Sequence, residues 1–171
     1  MHTEAFLWVD TSFKHWRKPE TKDLIVLEFG SLDINGNVRG IFQPYTRTYI
    51  GVDLQEGPGV DFIEDAHTFN PDMLFDVVVC CEVFEHTPVW REIISNSHRL
   101  LKDGGLFIAT MAGEGRYPHS AIDENPIRDW EYYDNVGAWE LNRHLKSLFG
   151  DVQVDVLGSD LRCWSTKNKS K

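Results

Sequence analysis

The amino-acid sequence predicts a doubly wound α/β domain with five parallel strands and a closing antiparallel hairpin. Three observations carry this: strand-like apolar runs alternate with segments of helical periodicity, acidic residues stand at the ends of three successive strand-like runs, and the last two runs are joined by a very short link. A chain of 171 residues with 42% hydrophobic content can bury one good core and little beyond it. Residues 1–171 are therefore expected to form a single domain, with residues 1–20 as an N-terminal helical extension.

The first strand is Leu24–Phe29, a run of apolar residues broken only by Glu28 and ended by Gly30 at a turn rich in Ser, Asp, Asn and Gly. Residues 49–53 form the second and end on Asp53; after Gly57-Pro58-Gly59 comes a short third, residues 60–63, leading into Glu64-Asp65-Ala66. A helical turn is expected over residues 69–74. Phe75–Cys81 is the most apolar run, as a central parallel strand covered on both faces requires. Thr87-Pro88 has the form of an N-cap followed by proline at the first helical position, and Val89, Trp90, Ile93, Ile94, Ser97, Leu100 and Leu101 then recur at helical spacing. Lys102-Asp103-Gly104-Gly105 closes that helix, and residues 106–111 supply the fifth strand. Between Gly113 and Asn135 no period survives, which marks a long irregular loop dense in Tyr, Trp, His and Arg. Ala138, Leu141, Leu145 and Leu148 mark another helix. Two final strands, Val152–Leu157 and residues 161–166, are joined across Gly158-Ser159.

Composition excludes several classes. No apolar run approaches the roughly 20 residues needed to cross a bilayer, and the start of the chain has neither the basic nor the apolar region of a secretory signal, so a cytoplasmic protein is expected. The three cysteines, two of them the neighbours Cys80 and Cys81, have no disulfide or zinc spacing and read as reduced core residues. A formal charge of −10, from 27 acidic against 17 basic residues, would repel a phosphate backbone and argues against nucleic acid as substrate. Lys167, Lys169 and Lys171 read as a solvated, frayed end. His2, His15, His67, His98 and His144 have no metal-ligand spacing and read as surface or capping residues, so no metal is expected. Phe6, Leu7, Trp8, Phe13 and Trp16 either cover a ligand or pack on outer helices, and packing is the reading preferred.

The chemistry gathers where the strands end, because open α/β sheets take ligands in the crevice outside the carboxyl ends of their strands. The turn from Glu28 through Gly30 to Gly36 lets backbone approach a ligand closely, but an ordinary turn reads equally well. Asp53 can accept hydrogen bonds from both hydroxyls of a ribose, or cap a following turn. Asp65 with the N–H of Ala66 can read the amino edge of an adenine, or again cap a turn. Three acids at the ends of three successive strands are harder to dismiss together than singly.

These residues resemble the class I S-adenosylmethionine-dependent methyltransferases, in particular small single-domain members of type 11, from Leu24 to Thr166. The closest local matches are Phe75–Cys81 continued by Glu82-Val83-Phe84-Glu85-His86, similar to that family's fourth strand and Glu-Val-Leu-Glu-His element, and Leu100 to Gly105, similar to the turn before its fifth strand. The resemblance implies a Rossmann-like seven-stranded sheet and S-adenosylmethionine as cofactor. By the same resemblance Glu28, Gly30 and Ser31 face its methionyl end, Asp53 and Leu54 its ribose, and Asp65 and Ala66 its adenine, while Cys81 and Glu82 border the methionyl portion through backbone groups. The family's further glycines are replaced by Leu32 and Ile34, and Gly36 is expected to take up part of their work from a longer loop. A nicotinamide dehydrogenase, which needs glycines in G-x-G-x-x-G spacing, fits less well.

Methyl transfer asks mainly for alignment of a nucleophile behind the sulfonium. Where a proton must leave, His86 is the candidate base; its alternative is to support the start of the next helix, and Glu85 reads as a solvated or helix-terminal charge. The loop over residues 113–135 is the candidate acceptor side, with Arg116, Tyr117, His119, Arg128, Trp130 and Tyr133 suited to an anionic or sugar-like molecule, or else packed over the sheet edge. The element after the fourth strand lacks the Asp/Asn-Pro-Pro-aromatic sequence of amino-directed DNA methyltransferases. A small molecule or a carbohydrate or lipid intermediate is the expected acceptor. The competing function is a non-catalytic module that binds S-adenosylmethionine or a partner.

Overall fold

A computed structural model describes residues 3–123 and 125–169; the expectations for His2 and Lys171 lie outside the described residues. All six residues of β1 (Leu24–Phe29) are buried, because this strand runs through the middle of the sheet with side chains pointing alternately to two covered faces. Around it lie β2 (Thr46–Asp53), β3 (Phe62–Ile63), β4 (Phe75–Cys81), β5 (Leu101–Ala112), β6 (Val152–Leu157) and β7 (Asp160–Thr166). Their order is β3-β2-β1-β4-β5-β7-β6. The first five are mutually parallel, and β7 is antiparallel to both β5 and β6. This is the predicted seven-stranded Rossmann-like sheet with its terminal hairpin.

The alternation of side chains assigns each helix its face. Leu27, Phe29, Val78, Cys80, Phe107 and Ala109 pack against α3 (Trp90–Leu100) and α4 (Ala138–Leu148), through Ile93, Ile94, Leu100, Leu141 and Leu145. Val26, Val77, Val79, Leu106 and Ile108 point the other way, onto α1 (Thr3–Trp16) and α2 (Arg39–Phe42), through Val9, Phe13, Ile41 and Phe42. Each buried aliphatic or aromatic side chain of this kind contributes about 1.5–3 kcal/mol. Of the N-terminal residues expected to pack, Phe13, Trp8 and Trp16 do so, Phe13 meeting Phe42 and Tyr45 at ring distances of 4.8 and 5.4 Å, whereas Phe6 and Leu7 are exposed. The indoles of Trp8 and Trp16 donate to the carbonyls of Cys163 and Gly104.

Several elements differ from expectation for local reasons. Thr87 is not the cap of α3, which starts at Trp90; its hydroxyl accepts from the N–H of Val89 at 3.3 Å, so Thr87 and Pro88 form a turn ahead of the helix. The strand expected over residues 60–63 is reduced to Phe62–Ile63. Residues 69–74 form no helix: Pro71 disfavours helical backbone at Asn70, and the carbonyls of Ala66 and Phe69 are taken instead by the amide of Asn96 at 2.8 and 2.9 Å. The fifth strand starts earlier than expected, at Leu101, and pairs Phe75 with Leu101 before a register shift. Lys167 is not frayed, since its ammonium donates to the carbonyl of Leu101 at 2.7 Å and its backbone bonds Gly104 and Gly105.

Asn96 therefore stands in for a helix between β3 and β4. Replacing it (Asn96→Ala) removes the side-chain partner of the Ala66 carbonyl and leaves that of Phe69 to Arg99 Nη2 at 3.0 Å, and urea unfolding is expected to show a loss of about 1–2 kcal/mol. A loss below about 0.5 kcal/mol would mean that the segment over residues 65–69 is held by other contacts.

Candidate functional site

The parallel register levels the strand ends: Phe29 is opposite Val52 on one side and Cys80 on the other, and Asp53 is opposite Ile63. Gly30, Asp53, Asp65 and Glu82 consequently meet at one edge of the sheet, around a cavity of about 940 Å³. All nine residues expected to hold a cofactor line it: Glu28, Gly30 and Ser31 after β1, Asp53 and Leu54 after β2, Asp65 and Ala66 after β3, and Cys81 and Glu82 after β4. His86 lines it beyond Glu82, followed by Arg116, Tyr117 and His119 of the loop. The volume lies at the upper end of the roughly 300–1,000 Å³ of small-molecule sites.

Gly30 has φ +73°, and a Cβ there would come within 2.2 Å of Val83 Cγ2, so both backbone and space require glycine. The replacement of the next expected glycine by Leu32 is accommodated across the loop, where Gly57 leaves the room that the Leu32 side chain fills. Asp33 donates its N–H to the carbonyl of Pro58, and its carboxylate accepts from Gly36 N–H and the Asn37 amide. The glycine missing at Leu32 is thus compensated by Gly57 in the turn after β2, Ile34 is exposed, and Gly36 is bonded to Asp33 and also lines the cavity.

Asp53 accepts from the N–H groups of Leu32 at 3.0 Å and Gln55 at 3.1 Å, which aims its carboxylate at the cavity while lone pairs remain for a ligand. Asp65 caps the turn that follows, accepting from the N–H of His67 at 3.1 Å and pairing with its ring at 2.7 Å. Glu28 is 4% exposed and accepts from the Tyr49 hydroxyl at 2.9 Å. Burial raises its carboxyl to about 7, against the opposing effects of the Tyr49 hydrogen bond and the Arg39 guanidinium. Glu82 has φ +56°, one of two non-glycine residues in the left-handed region among the described residues; such strain concentrates at functional positions. Cys80 and Cys81 are buried thiols whose ionisation burial opposes, as core residues rather than nucleophiles.

At the other end of the cavity, Glu85 departs from the solvated charge expected of it. It is fully buried, Oε1 accepts from the N–H of Ala112 at 3.1 Å, and its own carbonyl accepts from Asp134 N–H at 2.9 Å. Burial, together with the charge of Glu82, raises it to about 8. Burial lowers His86 to about 4, helped by His119, so the imidazole is neutral at pH 7. The rings of His86, His119 and Tyr133 meet edge to face at 5.0, 5.4 and 5.1 Å. Sequence spacing could not have joined His86 to His119, because the loop that brings them together has no period. Of the six residues expected on the acceptor side, Arg116, Tyr117 and His119 line the cavity and the other three do not. Arg128 is tied to Asp123, Glu131 and Ser120 and holds the loop together; Trp130 is 71% exposed; Tyr133 stands behind the two histidines.

A seven-stranded sheet of this order, with acids at successive strand ends around a nucleoside-sized crevice, defines the class I S-adenosylmethionine-dependent methyltransferases. The chain belongs to the family described as "Methyltransferase domain", which matches residues 14–157. Comparison with curated proteins gives no match. Among solved structures, the chain is similar to Burkholderia thailandensis 1,6-didemethyltoxoflavin-N1-methyltransferase, bound to 1,6-didemethyltoxoflavin and S-adenosylhomocysteine; the TM-score is 0.68 at 18% identity, covering 98% of this chain and 80% of that one. It is likewise similar to the N-methyltransferase NodS from Bradyrhizobium japonicum WM9 (TM-score 0.65, 14% identity, 98% of each chain). A third is the YcgJ protein of Bacillus subtilis (TM-score 0.69, 15% identity, 99% and 100%). No helix among the described residues is long and apolar enough to cross a membrane.

Two predictions follow from this geometry. Gly30→Ala is expected to cost about 2–4 kcal/mol, from left-handed backbone and overpacking, and adding Val83→Ala should recover part of it in urea unfolding; no recovery would locate the whole cost in the backbone. Glu28, raised from 4.5 to about 7 on folding, binds more protons folded than unfolded, so its burial destabilises the unliganded protein progressively as pH rises through that window. Glu28→Gln should therefore stabilise the unliganded protein by about 3 kcal/mol at pH 8 and not at pH 4; equal effects at both would show that ionisation is not the cause.

Proposed function

We propose that this enzyme binds S-adenosylmethionine along the strand ends and transfers its methyl group to a small, hydroxyl-rich acceptor, such as a carbohydrate or lipid intermediate, held by the loop over residues 113–135. The observation that carries the reading is the continuity of the cavity: one space runs from Asp53 and Asp65, past Glu28 and Glu82, to His86, Arg116, Tyr117 and His119. The residues fit the cofactor. Glu28 offers a buried carboxylate to the cationic methionyl end, and Ser31 Oγ is buried with no hydrogen-bond partner among the described residues. The carboxylate of Asp53 retains lone pairs for the ribose hydroxyls, and Asp65 with the N–H of Ala66, both lining the cavity, can read an adenine edge. When bound, the cofactor supplies a methyl group made electrophilic by its sulfonium.

The work left to the protein is alignment and exclusion of water, and proximity alone supplies much of the acceleration. Arg116 is paired with Asp160, so its charge is balanced, which favours a hydroxylated acceptor over a strongly anionic one. Tyr117 presents an exposed ring at the mouth, suited to the apolar face of a sugar. His86, neutral and on the cavity wall, is the base the site offers for the acceptor's proton. Three free, buried cysteines suit a reducing, cytoplasmic setting.

Calorimetric titration with S-adenosylmethionine and S-adenosylhomocysteine tests the reading. Asp53→Ala should weaken both by about 10- to 100-fold, the value of hydrogen bonds to a charged group. In the wild type, affinity should fall by up to about tenfold per pH unit below about 7, as Glu28 takes up its proton, and Glu28→Gln should flatten that slope. Tyr117→Ala should raise the KM for the acceptor and leave cofactor affinity unchanged. Cofactor binding with no release of S-adenosylhomocysteine on any hydroxylated acceptor would favour a non-catalytic module, and no binding to the folded wild type would overturn the proposal.

A further inference from the structure

Glu85, His86 and His119 form a cluster that the cofactor does not need. One ligand atom from each lies within 4.8 Å of the others, at the acceptor end of the cavity, where both imidazoles face the open space. Two imidazole nitrogens and one carboxylate oxygen are a donor set for a first-row divalent transition metal, and a three-ligand site with an open position is the form that catalytic zinc takes.

Three independent features of the cluster point the same way. Glu85 is fully buried, Oε1 is held by the N–H of Ala112, and Oε2 has no hydrogen-bond partner among the described residues; a buried carboxyl oxygen without a partner is costly in either protonation state. His119 Nδ1 is 3.1 Å from the carbonyl oxygen of Tyr117, to which it donates, leaving the lone pair on Nε2. Histidines that bind metals are commonly oriented in this way. The ring of Tyr133, which does not line the cavity, packs edge to face against both imidazoles and restrains their planes. Ligand atoms on a tetrahedral ion with bonds of 2.0–2.1 Å stand about 3.3 Å apart, so the cluster closes on an ion by shifts of roughly 1 Å, which side-chain rotation of His119 on its loop can supply.

We propose that Glu85, His86 and His119 bind one divalent first-row transition metal ion, zinc in the first instance, with its open coordination position facing the acceptor. Such an ion orients an acceptor oxygen and lowers the pKa of its hydroxyl, taking over the part assigned above to His86. That role rests on the methyl-transfer reading; the ion site itself does not.

The test uses the whole protein after treatment with a chelator. Titration with Co²⁺, followed by its visible absorption and by metal analysis, should give one equivalent per chain, displaced by Zn²⁺. His119→Ala and Glu85→Gln should each weaken binding at least about 100-fold, beyond the roughly 10- to 100-fold of losing a supporting partner, while His144→Ala should bind as the wild type does. His119→Ala decides the matter if the buried Glu85 variant does not fold. Absence of Co²⁺ binding to the wild type, or equal binding by His119→Ala, overturns the proposal. S-adenosylmethionine binding that survives alongside that result would leave the methyl-transfer reading standing, and loss of both would remove the two together.

Discussion

The parallel register of β1 against its two neighbours is the constraint on which the site depends. Because Phe29 is level with both Val52 and Cys80, the chain leaves β1, β2 and β4 at one height, and the turns that follow must share one crevice. A slip of one residue would reverse every side chain, exchanging the α3 and α4 face for the α1 and α2 face. Register is therefore enforced by the two apolar layers, and the cavity inherits its dimensions from the core beneath it.

Most of this frame was legible in the residues. The strongly apolar run Phe75–Cys81 pointed to a central strand with two covered faces, and the short link at Gly158-Ser159 required antiparallel pairing. The acids at 28, 53 and 65 sit at the cavity because strand ends are set by periodicity, which a sequence displays openly. Where expectation failed, a distant partner intervened. The carbonyls of Ala66 and Phe69 are satisfied by Asn96, 27 to 30 residues on, and nothing local predicts this. Glu85 looked like a charge at a helix end, yet the backbone N–H of Ala112, reached only after a whole helix and strand, draws it into the interior.

The loop proposed to hold the acceptor was legible only as composition. Six aromatic or cationic residues stood out in the loop, but their division into lining and bracing residues depends on tertiary contacts: Arg128 is consumed by Asp123 and Glu131, and Tyr133 by the two histidines. An aperiodic segment carries no rule that says which side of it faces inward. The turn after β1 shows the converse case, where an apparent defect at Leu32 is matched by space at Gly57, so one loop has been exchanged for another without altering what surrounds the crevice.

The link between β2 and β4 contains a two-residue edge strand and no helix, and Phe62 and Ile63 are 43% and 57% exposed. The end of the crevice beside Asp53 and Asp65 is walled on that side by turns alone, whereas the end beside His86 and His119 lies under a long, internally bonded loop. The two ends are consequently bounded by different kinds of structure. Whatever occupies the crevice is therefore held at one end by short turns and at the other by a braced loop, so a change in loop sequence can reshape one end without touching the other.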